Sequence, residues 1–243
     1  MRLPAPFRAR GEHLEVTLGG ARALFTTRRG GCSSGPFHSL NLGRLTADRP
    51  QDVERNRQLV RQEVGRPLGL VRQVHGPTVI RLDAPPPDAA LAEADGIVTS
   101  RTDAAAAVLV ADCLPVVVAG QAAVAALHAG WRGLADGVLD EGVRALRESG
   151  EEGTLEAAIG PGIGVCCYEV GEEVHRAFAS YGATVRRGRN LDLEEVARCQ
   201  LERAGVGVVH SLGLCTSCHP ELFFSHRRDR GVTGRQAGVA WLG

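Results

Sequence analysis

Leu114-Pro-Val-Val-Val-Ala-Gly120-Gln121-Ala-Ala-Val-Ala-Ala-Leu127 consists of two apolar runs broken only at Gly120-Gln121. Two strand-like runs joined by a pair of turn-forming residues read as a tight β-hairpin. With Gly120 and Gln121 at the turn, the residues flanking the hairpin, Cys113 and His128, fall directly opposite each other. Cross-strand Cβ atoms at such a pair lie about 4.5–5.5 Å apart. That distance lets the two side chains share one metal ion, and it equally suits a thiol nucleophile and its imidazole base.

Working outward, Gln73-Val74-His75-Gly76 ends a third apolar run with another imidazole. Two imidazoles and a thiolate are three of the four groups around a catalytic zinc, with the fourth position open. A single cysteine after a buried strand is ordinarily a small core hydrophobe. The register that pairs Cys113 with His128 is what argues otherwise. Gly130 and Gly133 flank Trp131-Arg132 and lead into a helical pattern, which places His128 just ahead of a helix N-terminus able to meet an anion.

The 243 residues carry 28 arginines, no lysine and 28 acids, for a net charge of zero. This balance excludes a general nucleic-acid binder, which needs a basic face, yet leaves room for local arginine clusters that hold phosphate. Charges at Arg2, Arg8, Arg10, Glu12 and Glu15 interrupt the first twenty residues, where a signal peptide needs an apolar core. The most apolar later stretch, residues 104–118, is interrupted by Asp112 and Pro115, so no membrane span is expected. Seven cysteines without a secretion signal point to a reduced, cytoplasmic compartment.

Along the chain, residues 14–27 read as two strands around a Gly19-Gly20 turn. Asp48-Arg49-Pro50 starts a helix by cap and proline signals, with Val53, Val60 and Val64 on one face. Strands are expected at 70–74, 78–82, 96–99, 106–111, 115–119, 122–127, 156–159, 206–209 and 238–242. The proline-rich residues 84–88 read as a surface loop. Helical spacing recurs from Leu134 through Val138 and Val143 to Leu146, over 170–181, and over 192–204 behind an Asp192 cap. No linker divides the chain, so the expectation is a single α+β domain in layers, with helices grouped outside adjacent strands.

Eight segments in order then carry a resemblance: Thr26-Thr27-Arg28-Arg29-Gly30-Gly31-Cys32-Ser33, Ser39-Leu40-Asn41-Leu42-Gly43, Arg72-Gln73-Val74-His75-Gly76, Ala94-Asp95-Gly96, Ala111-Asp112-Cys113-Leu114-Pro115, His128-Ala129-Gly130-Trp131-Arg132-Gly133, Ile159-Gly160-Pro161-Gly162-Ile163 and Phe224-Ser225-His226-Arg227-Arg228-Asp229. Together they resemble the polyphenol oxidoreductase, or laccase-domain, family from about residue 24 to the C-terminus. The resemblance implies a four-layer α-β-β-α sandwich and Zn2+ held by His75, Cys113 and His128. It also implies phosphorolysis of purine nucleosides with adenosine deaminase side activity. Family position further recommends Arg28, Asn41, Gln73, Arg132, Arg227 and Arg228 as substrate-binding residues, and arginine forks suit phosphate oxygens. Asp112 and Asp95 are candidate acid–base partners for deamination. The expected partners are a purine nucleoside and phosphate, bound by a monomer.

The name laccase does not suit the composition. Four-copper oxidases need a histidine-rich trinuclear cluster beside a His₂Cys copper site, and this chain has eight histidines and no His-x-His pair. Two other hydrolytic readings stay open. One is a metal-free thiol hydrolase with Cys113 and His128 as nucleophile and base, suggested by fold kinship with the deamidase domain of cytotoxic necrotizing factors. The other is a peptidoglycan editing amidase, described for a bacterial branch of the family, that removes L-serine from a UDP-muramyl precursor. A zinc-stabilised interaction domain fits least, because structural zinc sites are closed by four ligands.

Two further stretches carry cues. Cys215-Thr216-Ser217-Cys218-His219 has the spelling of a c-type haem attachment, but Met1 is the only methionine and no export signal is expected. As half of a structural zinc site the pair finds no second Cys-x-x-Cys, since Cys166-Cys167 has the wrong spacing. Gly160-Pro161-Gly162-Ile163-Gly164 fails the spacing of a dinucleotide fingerprint and reads as a close backbone approach beside the pocket.

Overall fold

The computed structural model describes residues 3–84 and 91–243, so most of the proline-rich loop expected at 84–88 lies outside the described residues. In chain order the strands are β1 (Arg8–Arg10), β2 (His13–Leu18), β3 (Ala21–Phe25), β4 (Leu68–Gly69), β5 (Val79–Arg81), β6 (Gly96–Thr99) and β7 (Ala105–Val110). They continue as β8 (Leu114–Ala119), β9 (Val124–Ala129), β10 (Leu155–Ile159), β11 (Arg186–Arg187), β12 (Asn190–Leu191), β13 (Val206–Ser211) and β14 (Gln236–Leu242). The helices are α1 (Pro50–Val64), α2 (Trp131–Ala135), α3 (Val138–Glu148), α4 (Glu172–Ala177) and α5 (Leu193–Arg203).

Two six-stranded sheets result, in the orders β1-β2-β3-β14-β7-β4 and β13-β10-β8-β9-β6-β5. Alternation along each strand sorts side chains into layers. In β8, Leu114, Val116 and Val118 face the cluster formed with α3 and α5, whereas Val117 and Ala119 face the other sheet. Ala106 and Val108 of β7 join that central layer, while Ala105 and Ala107 turn to the opposite side, with Val60 and Val64 of α1. The order is therefore α1, sheet, sheet, then α3 and α5, the four-layer α-β-β-α sandwich. Strands buried on both faces explain the unbroken Val/Ala runs. Among the described residues no helix is long and apolar enough to cross a membrane.

The β8–β9 hairpin forms, but in a different register from the one its sequence suggested. Pro115, not Cys113, pairs with His128, and Ala119 pairs with Val124. The Gly120 N–H donates to the Ala123 carbonyl at 3.0 Å, which leaves Gln121-Ala122 at the tip. The cause is remote in sequence: the Glu151 carboxylate accepts the Ala122 N–H at 2.7 Å and packs against Gly120, where a Cβ would lie 2.0 Å from its Cδ. Gly120 is thus required by that close approach rather than as a turn residue. A two-residue slip preserves the faces, so Cys113 and His128 stay on one side as diagonal neighbours.

Other differences are local. The helical pattern from Leu134 to Leu146 is split between α2 and α3 at Gly137, whose φ is +90°. Residues 70–74 form no strand and make only a bridge from Arg72 to Glu93. Asp192 caps α5 as expected, accepting the Glu195 N–H at 3.1 Å.

Candidate metal centre

His75, Cys113 and His128 converge although they come from three separate segments. Cys113 precedes β8, His128 lies in β9, and His75 sits in the irregular segment leading to β5. Their ligand atoms all lie within 4.8 Å of one another. The two imidazoles meet edge to face, with centroids 4.8 Å apart and planes at 79°. Cys113 faces Gly130, where a Cβ would stand 2.9 Å from its Sγ and 3.4 Å from His75 Cδ2. Glycine opposite the thiol is what makes room for the third donor.

Backbone strain collects here. Three described non-glycine residues have positive φ, and two are His75 at 64° and Asp112 at 91°. Such conformations persist only where surrounding contacts fix them. For His75 the contacts come from Asp95, the fully buried residue just before β6. Asp95 Oδ1 accepts the His75 N–H at 2.9 Å, while Oδ2 accepts the N–H groups of Val74 and Gly76 at 3.0 and 2.8 Å. Oδ1 also lies 2.7 Å from His128 Nδ1, and the His128 N–H donates to the Asp95 carbonyl at 2.7 Å. One carboxylate therefore shapes the His75 turn and orients the His128 ring, leaving Nε2 for the site.

The electrostatics follow from this packing. Burial would push the Cys113 thiol up, but the charge on His128 and hydrogen bonds from both imidazoles bring it down to about 6. Burial would push His128 down; the Cys113 thiolate and the Asp95 hydrogen bond raise it to about 9 instead. For Asp95, burial opposes ionisation, and the bonds from His128, Gly76 and Val74 outweigh it, holding the carboxyl below its ordinary value. A thiolate and two imidazoles, one oriented by a carboxylate, are a donor set that could hold zinc. His75 is exposed while His128 is buried, so the set opens to solvent on the His75 side.

The remaining expected site residues divide into those at this centre and those elsewhere. Asp112 adjoins Cys113, and each of its carboxylate oxygens takes one hydrogen bond at 2.6 Å, from the Thr216 hydroxyl and from the Arg227 N–H. Its carbonyl accepts the Ile163 N–H, so Asp112 ties three segments together beside the thiol. Arg227 stacks on Tyr168, 5.3 Å from the ring centroid, and donates to the Glu169 carbonyl. Arg132 lies 4.5 Å over Trp131. Arg132 is itself the second residue of α2, which has only five residues, a much shorter dipole than the sequence pattern suggested.

Gln73 uses both ends of its amide on the Leu109 backbone, at 2.8 Å each. Asn41 is fully buried and binds Thr46, Asp48 and the N–H groups of Gly43 and Arg235. Arg228 chelates Asp229 and donates to the Thr216 and Phe223 carbonyls. These three side chains brace the loops around the site. Arg28 donates to the His38 and Pro220 carbonyls and lines a cleft of about 550 Å³ with Arg29, Ser39 and Glu221, a cleft that none of the three metal-site residues lines.

Two residues not singled out in the sequence feel the charges of Cys113 and Asp112. Burial pushes the Tyr168 hydroxyl up to about 12, reinforced by the Cys113 and Asp112 charges and opposed by Arg227 and Arg132. Arg235 is lowered by burial and drawn back up by Cys113 and Asp112. Neither belongs to a short motif; only the packing of loops 160–168 and 224–235 against Asp112 brings them in.

A family model described as multi-copper polyphenol oxidoreductase laccase matches residues 22–243. A Xylella fastidiosa protein named purine nucleoside phosphorylase is 44% identical, over 92% of this chain and 93% of its own length. The Escherichia coli protein named purine nucleoside phosphorylase YfiH is 39% identical, over 92% and 94%. The crystal structure of a Neisseria meningitidis protein superposes with a TM-score of 0.84 at 38% identity, covering 95% of this chain and 99% of that one. That of YlmD from Geobacillus stearothermophilus gives 0.88 at 32%, covering 98% and 99%.

Proposed function

The chain belongs to the polyphenol oxidoreductase laccase family, and from that premise we propose that it is a zinc-dependent purine nucleoside phosphorylase of the cytoplasm, acting as a monomer. The observation that carries this reading is the convergence of His75, Cys113 and His128 on one solvent-open point with Asp95 behind it. His75, Cys113 and His128 would hold the zinc. When bound, zinc supplies Lewis-acid polarisation and a template for orienting an oxygen of the substrate.

The protein's own groups do the rest. Asp95 keeps His128 in the tautomer that presents Nε2 and fixes the His75 backbone. In phosphorolysis inorganic phosphate attacks ribose C1′ and the purine departs, so negative charge must be held beside the sugar. In this reading Arg132 and Arg227 supply that positive charge: both guanidinium groups act on Tyr168, and such forks match phosphate oxygens. Asp112 holds the Arg227 backbone in place through its N–H. With hydrogen bonds on both oxygens, Asp112 and Asp95 act here as positioning residues. Among the described residues no other metal-competent cluster contains histidine, so the multi-copper chemistry in the family's description has no counterpart in this reading.

The Cys113–His128–Asp95 alignment also supports a second reading, a thiol hydrolase. His75 favours the metal, since a thiol mechanism has no use for a second imidazole at the same sulfur. Assaying the purified protein against inosine with and without phosphate, beside adenosine and the UDP-muramyl-L-serine precursor, separates the possibilities. Hypoxanthine and ribose 1-phosphate are expected only when phosphate is present. Cleavage that is indifferent to phosphate would mean a hydrolase, and serine release with no nucleoside turnover would mean the amidase.

A further inference from the structure

Cys166, Cys167, Cys215 and Cys218 lie outside the centre described above, and the fold brings their four sulfurs within 4.8 Å of one another. Their sequence spacing argued against a shared site, because the first pair is adjacent. The tertiary structure supplies the missing proximity. The loop after β10 and the segment after β13 run side by side, with a parallel bridge from Gly162 to Cys215 and a 2.9 Å bond from the Thr216 N–H to the Gly162 carbonyl. Cys218 Sγ then stands 3.5 Å from the sulfurs of both Cys166 and Cys167. The Gly164 N–H donates to Cys215 Sγ at 3.2 Å, the kind of backbone bond that supports a thiolate.

Four sulfurs bound at about 2.3 Å around a tetrahedral zinc would be about 3.8 Å apart. Two of the observed separations are 3.5 Å and none exceeds 4.8 Å. We propose that these four cysteines form a second zinc site, closed by four thiolates and structural in role. Four S–Zn bonds form and four thiol protons are released on binding. Soft tetrahedral sulfur sites select zinc or iron–sulfur centres, and one compact set of four suits a single ion. Cys166 and Cys218 are exposed, which gives the ion a path in. His219 is directed at Glu221, 3.3 Å away, and takes no part.

The position suggests what the site does. It staples the loop carrying Tyr168 to the segment carrying Thr216, the residue that bonds Asp112 beside Cys113. The ion would thus hold the wall of the first centre without touching it.

Native mass spectrometry and metal analysis of protein purified without chelator test this directly, and the wild-type count needs no variant to fold. Two zinc ions per chain are expected. A Cys113→Ser/His128→Ala variant should keep one, and a Cys215→Ser/Cys218→Ser variant should also keep one. Cobalt placed in the former should show the intense thiolate-to-metal absorption of a four-sulfur site. One zinc in the wild type with none in the Cys113/His128 variant would overturn the proposal, as would iron in place of zinc or a Cys218 disulfide in freshly purified protein. Because the two sites share no residue, failure here leaves the reading of the first centre standing.

Discussion

In the proposed phosphorolysis, His75→Ala is expected to lower kcat/KM by more than about a thousandfold, about 4 kcal/mol of transition-state stabilisation, while the unfolding midpoint of the metal-free protein barely moves. The asymmetry follows from where each proposed ligand sits. Cys113 and His128 flank or belong to the β8–β9 hairpin, and His128 is buried, so changing either disturbs packing as well as chemistry. His75 is exposed on a segment outside the hairpin, and its backbone hold on Asp95 passes through its N–H, which alanine keeps. Steady-state kinetics beside urea unfolding distinguish the two effects. Retained activity in a folded His75→Ala protein would remove His75 from the site and leave the Cys113–His128–Asp95 thiol alignment as the working chemistry.

The second large effect is on stability. Asp95→Asn is expected to destabilise the fold by about 3 kcal/mol at neutral pH, because a buried carboxylate that accepts four hydrogen bonds is replaced by a group that presents N–H atoms to some of those donors. It should also weaken metal retention by about 10–100-fold, the usual result of losing the carboxylate behind a ligating histidine. The pH dependence has a defined sign. The folded-state carboxyl is held below its ordinary value, so its stabilisation is fully present above the unfolded value of about 3.9 and is lost as pH falls through the lower folded value. The gap between wild type and Asp95→Asn should therefore narrow in acid. Denaturation at pH 7 and at pH 3, with a metal-competition assay at neutral pH, checks both parts; a loss below about 1 kcal/mol would mean that Asp95 is not the brace described.

How much of this was legible in the sequence depends on how local each determinant is. The hairpin, the Gly19-Gly20 turn, the Asp192 cap and the amphipathic α1 depend on neighbours within a few residues, and patterning suffices to find them. The hairpin register does not: Glu151 sets it from about thirty residues away. Gly137 breaks a helical pattern that Leu134 and Leu146 would otherwise sustain, since hydrophobic spacing alone does not reveal a left-handed residue.

At the site, the convergence of His75, Cys113 and His128 was readable because each ends an apolar run. The roles of the polar residues were not, because a sequence does not show whether a side chain will be used up internally. Gln73 bonds Leu109, Arg228 bonds Asp229, and Asn41 closes a loop that positions Arg235. Tyr168 and the four-cysteine cluster depend on two loops more than forty residues apart lying side by side, a juxtaposition that residue spacing conceals.

Alkylation of Cys113 tests the central claim most directly. A thiolate bound to metal is shielded, whereas one paired only with His128 reacts readily. Treating active protein with iodoacetamide, before and after chelation, and mapping the labelled peptides should show Cys113 protected until the metal is removed, with activity lost on chelation and restored by zinc when no label has been added. Rapid labelling of Cys113 in untreated, active protein, with activity falling in step, would contradict a metal centre at His75, Cys113 and His128.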